Sequence, residues 1–168
     1  MIAIVMGVSG SGKTAVGKAV AERMGFEFSD ADDFHSAANK AKMGSVQPLD
    51  ENDRRPWLAA MAESILSWDQ MEKGHVLACS GLKKIHRELL RDGLGESRLK
   101  FFYLRVDREE LMRRLSERKG HYMKANMLDS QLLAFETPQA MEAYDIDNNG
   151  SMQDAIEAIV KKIGRAHV

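Results

Sequence analysis

Apolar positions fall into two alternating textures along this chain. Residues 2–6 (IAIVM) are a short, unbroken apolar run ahead of Gly7, the pattern of a strand buried on both faces. From Lys13 the spacing becomes helical: Val16, Val20 and Met24 share one face, and Gly25 is placed to end the helix. "FEFS" (26–29) predicts a second strand that runs into an aspartate cluster. Trp57, Met61, Ile65 and Trp68 then recur at helical spacing as far as Gly74, with Pro56 expected in that helix's first turn, where a missing N–H costs little.

The alternation continues to the end. "HVLACS" (75–80) predicts a third strand, followed by a helix with Leu82, Ile85 and Leu89 facing inward. "LKFFYLRV" (99–106) predicts the fourth strand. Asp107 and Glu110 form a capping-box-like start for a helix along Leu111 and Leu115 that stops at Gly120. A short helix near 128–135, a weak strand in "EAYDI" (142–146) and a last helix opened by Ser151 complete the pattern, with Ile156, Ile159 or Val160, and Ile163 inward. Strand–helix alternation of this kind predicts an α/β fold, a mainly parallel sheet with helices on both faces. No repeat, low-complexity tract or linker interrupts it, so residues 1–168 are expected to form a single domain.

Composition narrows the function. A chain of 168 residues with 44% hydrophobic content can bury a core without disulfide or metal. Its 24 basic and 25 acidic residues leave a net charge of -1, which argues against nucleic acid as the main partner. No apolar run approaches a membrane span, and "MIAIVMG" lacks the basic start of a signal peptide. The single cysteine, Cys79, suits a reducing compartment, so a cytoplasmic location is expected.

"GVSGSGKT" (7–14) satisfies G-x-x-x-x-G-K-[ST] with Gly7, Gly12, Lys13 and Thr14, between an apolar run and a helical one. In such a loop (Gly7, Gly10, Ser11, Gly12, Lys13, Thr14 and Ala15) backbone N–H groups wrap a phosphate and the helix offers its positive end. The lysine reaches the β- and γ-phosphates, and the hydroxyl ligates Mg²⁺. ATP and Mg²⁺ are therefore the expected cofactors. Nucleotide binding alone leaves a small-molecule kinase and a non-metabolic ATP-dependent switch both open. A GTPase is poorly matched: "NKAK" (39–42) has Lys42 where aspartate is needed, and "DGLG" (92–95) follows a helical stretch. "DIDNNGSMQDAI" (145–156) imitates a calcium loop but puts Ile156 where a bidentate glutamate belongs. It reads better as a strand end and helix cap near the nucleotide base.

A kinase also needs an acceptor hydroxyl and usually a carboxylate to take its proton. Asp30 and Asp32, at i and i+2 in extended chain, are expected to point the same way, one toward the Mg²⁺ water shell and one toward the acceptor. Only His35 lies near them, too few soft ligands for a transition-metal cage. Lys83 and Arg87, with His86 beside them, are spaced as one helix face, either solvated or anion-binding. "DRRPWL" adds Arg54 and Arg55, and converging cations would suit a negatively charged acceptor. In "RRLSERKGHYMK" (113–124), Arg114 and Arg118 sit one turn apart, in either a charged lid or a solvated helix end.

Taken together, "MGVSGSGKTAVG", "DADDFHSAANKAKM", "PLDENDRRPWL", "CSGLKKIHRELLR", "RKGHYMKANMLDSQ" and "FETP" resemble the gluconokinases, small P-loop kinases that phosphorylate D-gluconate at its 6-hydroxyl with ATP. The resemblance runs from about residue 5 to 138. It implies a three-layer, nucleoside-monophosphate-kinase-like fold with a five-stranded parallel sheet, an acceptor-binding segment at about 32–74, a lid at about 118–127, and a homodimer. It also implies roles: Lys13 and Thr14 on phosphate and Mg²⁺, Asp30 in the metal's outer shell, and Asp32 as base. Arg54, Lys83 and Arg87 would hold gluconate, with His35 and His86 beside it; Arg118 would brace the transferring phosphate and Arg114 lie against adenine. The chain departs from the family pattern at Ser36, Gly81, His86, Tyr122 and Leu132, where the family usually has Pro, Ala, Tyr, Phe and Phe. Gly81 and His86 fall beside the acceptor pocket, where they bear on which sugar acid fits.

Overall fold

The computed structural model describes residues 1–45, 49–117 and 125–166. Five strands, β1 (Ile2–Met6), β2 (Glu27–Asp30), β3 (His75–Ala78), β4 (Leu99–Arg105) and β5 (Tyr144–Asp147), form one parallel sheet in the order β2-β3-β1-β4-β5. Period-two alternation in the central strand distributes the core. Ile2, Ile4 and Met6 pack with α3 (Glu51–Gln70) and α4 (Lys84–Arg91) through Trp57, Met61, Ile65 and Leu90. Ala3 and Val5 face the opposite layer of α1 (Lys13–Met24) and α7 (Met152–Ala166), built on Val16, Val20, Ile156, Ile159 and Ile163. Every β1 residue is buried, as an apolar run without alternation requires. A smaller cluster of Val8, Leu111, Leu115 and Leu128 joins α5 (Arg108–Glu117) and α6 (Ala125–Ala134) beside the loop after β1. A short α2 (Ala37–Gly44) lies between β2 and α3.

The chain leaves β1 toward β2 on one side, and β3 toward β4 on the other. The crevice beyond the carboxyl ends of β1 and β3 is therefore the sheet's switch point, where ligands bind in such folds.

Three elements differ from the sequence expectation. Helix α3 starts at Glu51 and is opened by a capping box: Asp50 accepts from Asp53 N–H at 2.8 Å, and Asp53 accepts from Asp50 N–H at 3.0 Å. Pro56 thus lies inside the helix rather than in its first turn. On α4 the inward residues are His86, Arg87 and Leu90, while Ile85 and Leu89 are exposed. Lys83 is the residue before the helix, so Leu82 does not continue its apolar face. At α5, the Glu110 carboxylate is taken by Arg113 and Arg114 rather than by a cap.

Candidate active site

The site is built on the loop from Gly7 to Gly12. Gly7 leaves β1 where a Cβ would meet the Ser11 hydroxyl at 2.6 Å, so only glycine lets the loop close on itself. Gly12 caps α1 without any side-chain hydrogen bond, and the first helical turn carries no acidic residue. The helix's positive end thus faces no negative side chain of its own first turn, which suits an anion.

Two cavities flank this loop. One, of about 680 Å³, is lined by Gly10, Gly12, Ala15, Arg114, Asn148 and Gly150. Asn148, just past β5, donates its amide Nδ2–H to the Ser11 carbonyl at 2.8 Å. Arg114 donates to the Asn148 carbonyl and, at 3.5 Å, to the Ser11 carbonyl, while Glu110 accepts from its Nε–H at 3.0 Å. Arg113 foremost, with Arg114, holds the Glu110 carboxyl at about 2. The "DIDNNG" stretch therefore braces the phosphate loop, and among the described residues no acidic or His/Cys group could hold a metal by itself. Asn148 carried no signal of its own in the sequence beyond standing at a strand end.

The second cavity, of about 650 Å³, lies at the switch point, with Lys13, Asp30, Asp32, His35, Arg54 and His86 on its wall. Asp30 closes β2 and accepts from the Thr14 hydroxyl at 2.8 Å and from the Asp32 N–H at 3.0 Å. The second bond caps a 3₁₀ turn over Ala31–Phe34. Asp30 and Asp32 are thus brought to one cavity by a capped turn, not by the extended alternation expected from their spacing. Asp30 meets the phosphate loop, and Asp32 is solvent-exposed at the cavity.

His35 is buried and stacks on Trp57, with ring centroids 4.4 Å apart and planes at 8°. Burial lowers its pKa from the ordinary 6.5, so it faces the cavity as a neutral imidazole near pH 7. Trp57 is fixed in turn by its indole N–H, which donates to the Ala31 carbonyl at 2.7 Å. Helical spacing marked Trp57 only as core; it also forms part of the cavity wall.

The basic side chains divide. Arg54 and His86 line the cavity. Lys83 stands outside its wall and pairs with Glu51 at 3.5 Å. Arg87 does not join them. It is 3% exposed, its Nη1–H donates to the Gly81 carbonyl at 2.7 Å, and its Nη2 lies 3.6 Å from Glu142. A buried guanidinium needs such partners, and Glu142 is supplied from a distant part of the chain that helical spacing does not reveal. Gly81, which turns the chain after β3, has a φ of +57° that favours glycine. Gln131 of α6, unassigned in the sequence reading, accepts from the Ser9 N–H at 2.9 Å and reaches the same cavity. Cys79 forms an inert part of the wall: burial pushes its thiol up to about 11. Arg118 and residues 118–124 of the expected lid lie outside the described residues.

A phosphate loop between a nucleotide-sized cleft and an acidic, cation-bearing cavity is the arrangement of a phosphoryl-transfer enzyme. A family model described as shikimate kinase matches residues 9–166. The thermoresistant gluconokinase of Escherichia coli is 40% identical over 166 residues, covering 95% of this chain and 94% of that protein. The gluconokinase of Gluconobacter oxydans is 42% identical over 137 residues, covering 80% of this chain and 75% of its own. The crystal structure of a gluconokinase from Sinorhizobium meliloti superposes with a TM-score of 0.86 at 34% identity, over 97% of this chain and 91% of that one. A shikimate kinase from Bacteroides thetaiotaomicron shares the fold at a TM-score of 0.67 and 16% identity, over 98% of each chain. The chain is a P-loop kinase and belongs to the gluconokinase family.

Proposed function

We propose that this enzyme transfers the γ-phosphoryl group of ATP to the 6-hydroxyl of D-gluconate. The observation that carries the reading is the meeting of the two cavities at the phosphate loop, with Lys13 and Asp32 on the acceptor side. The base of ATP would lie by Ala15 and Arg114, and its phosphates would run through the loop toward Lys13. Asp32 would accept the hydroxyl proton or orient the hydroxyl for in-line attack. Arg54, assisted by His86, would hold the acid's carboxylate, and the His35–Trp57 stack would floor the pocket. Arg118 would brace the transferring group.

Mg²⁺ belongs to this reading. The Thr14 hydroxyl and the Asp30 carboxylate, 2.8 Å apart, are hard oxygen donors of the kind that hold this ion directly and through its waters. When bound, it neutralises charge developing on the phosphate oxygens. A homodimer and a cytoplasmic location complete the proposal. The first is supported by the exposed apolar pair Ile85 and Leu89 on one face of α4, the second by the buried free thiol of Cys79. Sedimentation of the wild type and of Ile85→Lys tests the dimer; an unchanged monomer in both would remove it.

An ADP-release assay across gluconate, shikimate, glycerate and related acids tests the function. Gluconate should give the highest kcat/KM. Turnover of another acid without gluconate would reassign the substrate. Nucleotide binding without acceptor-stimulated ADP release would support an ATP-dependent switch instead.

A further inference from the structure

One carboxylate beside the acceptor cavity, outside its lining, stands apart from the proposed machinery. Glu51, the first residue of α3, directs Oε1 toward Arg54 Nη1 at 3.4 Å and Lys83 Nζ at 3.5 Å, and Oε2 toward His86 Nε2 at 3.3 Å. These partners come from two separate elements and include Arg54 and His86, which line the acceptor cavity with Lys13. Arg54 and His86 are also the groups proposed above to hold the carboxylate of a sugar acid.

The contacts are those of a shared, loosely held anion. Charge-assisted N–H···O bonds ordinarily close to about 2.7–2.9 Å, and none of the three does. The Glu51 side chain is 52% exposed, whereas that of His86 is 6% exposed. Rotation of Glu51 into solvent therefore breaks only long contacts, and the buried imidazole remains at the cavity. Glu51 is also not needed to start its helix, since the capping box of Asp50 and Asp53 does that.

We propose that Glu51 is an internal stand-in for the substrate's carboxylate. It pairs with Arg54 and Lys83 and meets His86 while the acceptor cavity is free, and an incoming sugar acid must displace it. The side chain would thereby set affinity and favour anionic acceptors, since only a carboxylate replaces what Glu51 gives up. The inference rests on the sugar-acid reading of the site. It makes Glu51 a competitor rather than a clamp, and the two roles predict opposite effects of removing its charge.

The test is calorimetric binding of D-gluconate to wild-type and Glu51→Gln protein without nucleotide, with the neutral polyol D-sorbitol as control. A parallel series measures KM and kcat. Loss of one loosely held competing charge should tighten gluconate binding roughly two- to fivefold, lower its KM in step, and leave kcat and the KM for ATP unchanged. Sorbitol binding should not tighten. Unchanged or weaker gluconate binding by a folded Glu51→Gln variant overturns the proposal, as does equal tightening for sorbitol. If wild-type protein neither binds nor phosphorylates gluconate or any other sugar acid, the functional reading itself fails, and this inference with it. If wild type does so and the variant fails to tighten, this inference alone is wrong.

Discussion

Asp32 stands where the two halves of the proposed reaction meet. Its backbone is pinned by the Asp30 carboxylate, which also accepts from Thr14 in the phosphate loop, so the proposed acceptor carboxylate is tied to the phosphate loop through one side chain. Asp32→Asn keeps this backbone bond and removes only the charge. It should lower kcat by roughly 10² or more, while ATP affinity, measured by calorimetry, stays near wild type. A kcat close to wild type would remove Asp32 from the acceptor role. The residue types at this position were legible from chemistry: paired carboxylates after a strand, beside a phosphate loop. Their geometry was not, because a 3₁₀ turn capped by Asp30 replaces the extended chain that the i, i+2 spacing suggested. Arg87 shows what charge and spacing do not carry: it is buried against Gly81 and Glu142, with its Nε–H left without a partner among the described residues.

Helix α3 is tied at its start to the chain that precedes it. Its capping box ends where Asp53 also accepts from Lys42 Nζ at 2.8 Å, and the Asp53 carbonyl accepts from Asn39 Nδ2 at 2.8 Å. Helix α2 is thereby tied to the start of α3, and Asn39 continues to His35 at 3.3 Å. Asp50→Ala removes one half of the box and should destabilise the protein by about 1 kcal/mol. Equilibrium urea unfolding should show this as a lower midpoint at unchanged slope; an unchanged midpoint would mean that the cap contributes nothing. Helical spacing identified α3's core face through Trp57, Met61 and Ile65, yet its start was missed. D-x-x-D is a less familiar capping signature than one ending in Glu or Gln. The phase of α4 was misjudged for a related reason. Leu82 precedes the helix, and the buried face is set by Leu90 and two polar residues whose partners lie on other elements.

For the molecule as a whole, the sheet and its two helical layers followed from apolar runs alternating with helical spacing. Strand order did not, since spacing reports which residues are buried and not which strands are neighbours. β2 proves to be an edge strand, paired with β3, with β5 at the other edge. Burial leaves one global signature in solution. His75 stacks on Trp68 at 3.5 Å and lies 2.8 Å from the Ser29 hydroxyl, and burial lowers its pKa as it does that of His35. Both folded values lie below the ordinary 6.5, so the unfolded chain binds more protons as pH falls through that range. Their contribution to stability is present above pH 6.5 and should be lost progressively below it, toward the depressed folded values. Urea midpoints should therefore fall between pH 7 and pH 5.5, above the range where carboxylates protonate. A flat profile there would show that neither imidazole is buried in its neutral form.

The central claim is phosphoryl transfer from ATP to the terminal hydroxyl of a six-carbon sugar acid. ³¹P and ¹³C NMR of the product formed from ATP, Mg²⁺ and D-gluconate tests it most directly. The account predicts one phosphomonoester, coupled to C6, formed in equal amount with ADP and lost in Asp32→Asn. Phosphate on another carbon, or ADP released without any phosphorylated gluconate, would contradict it.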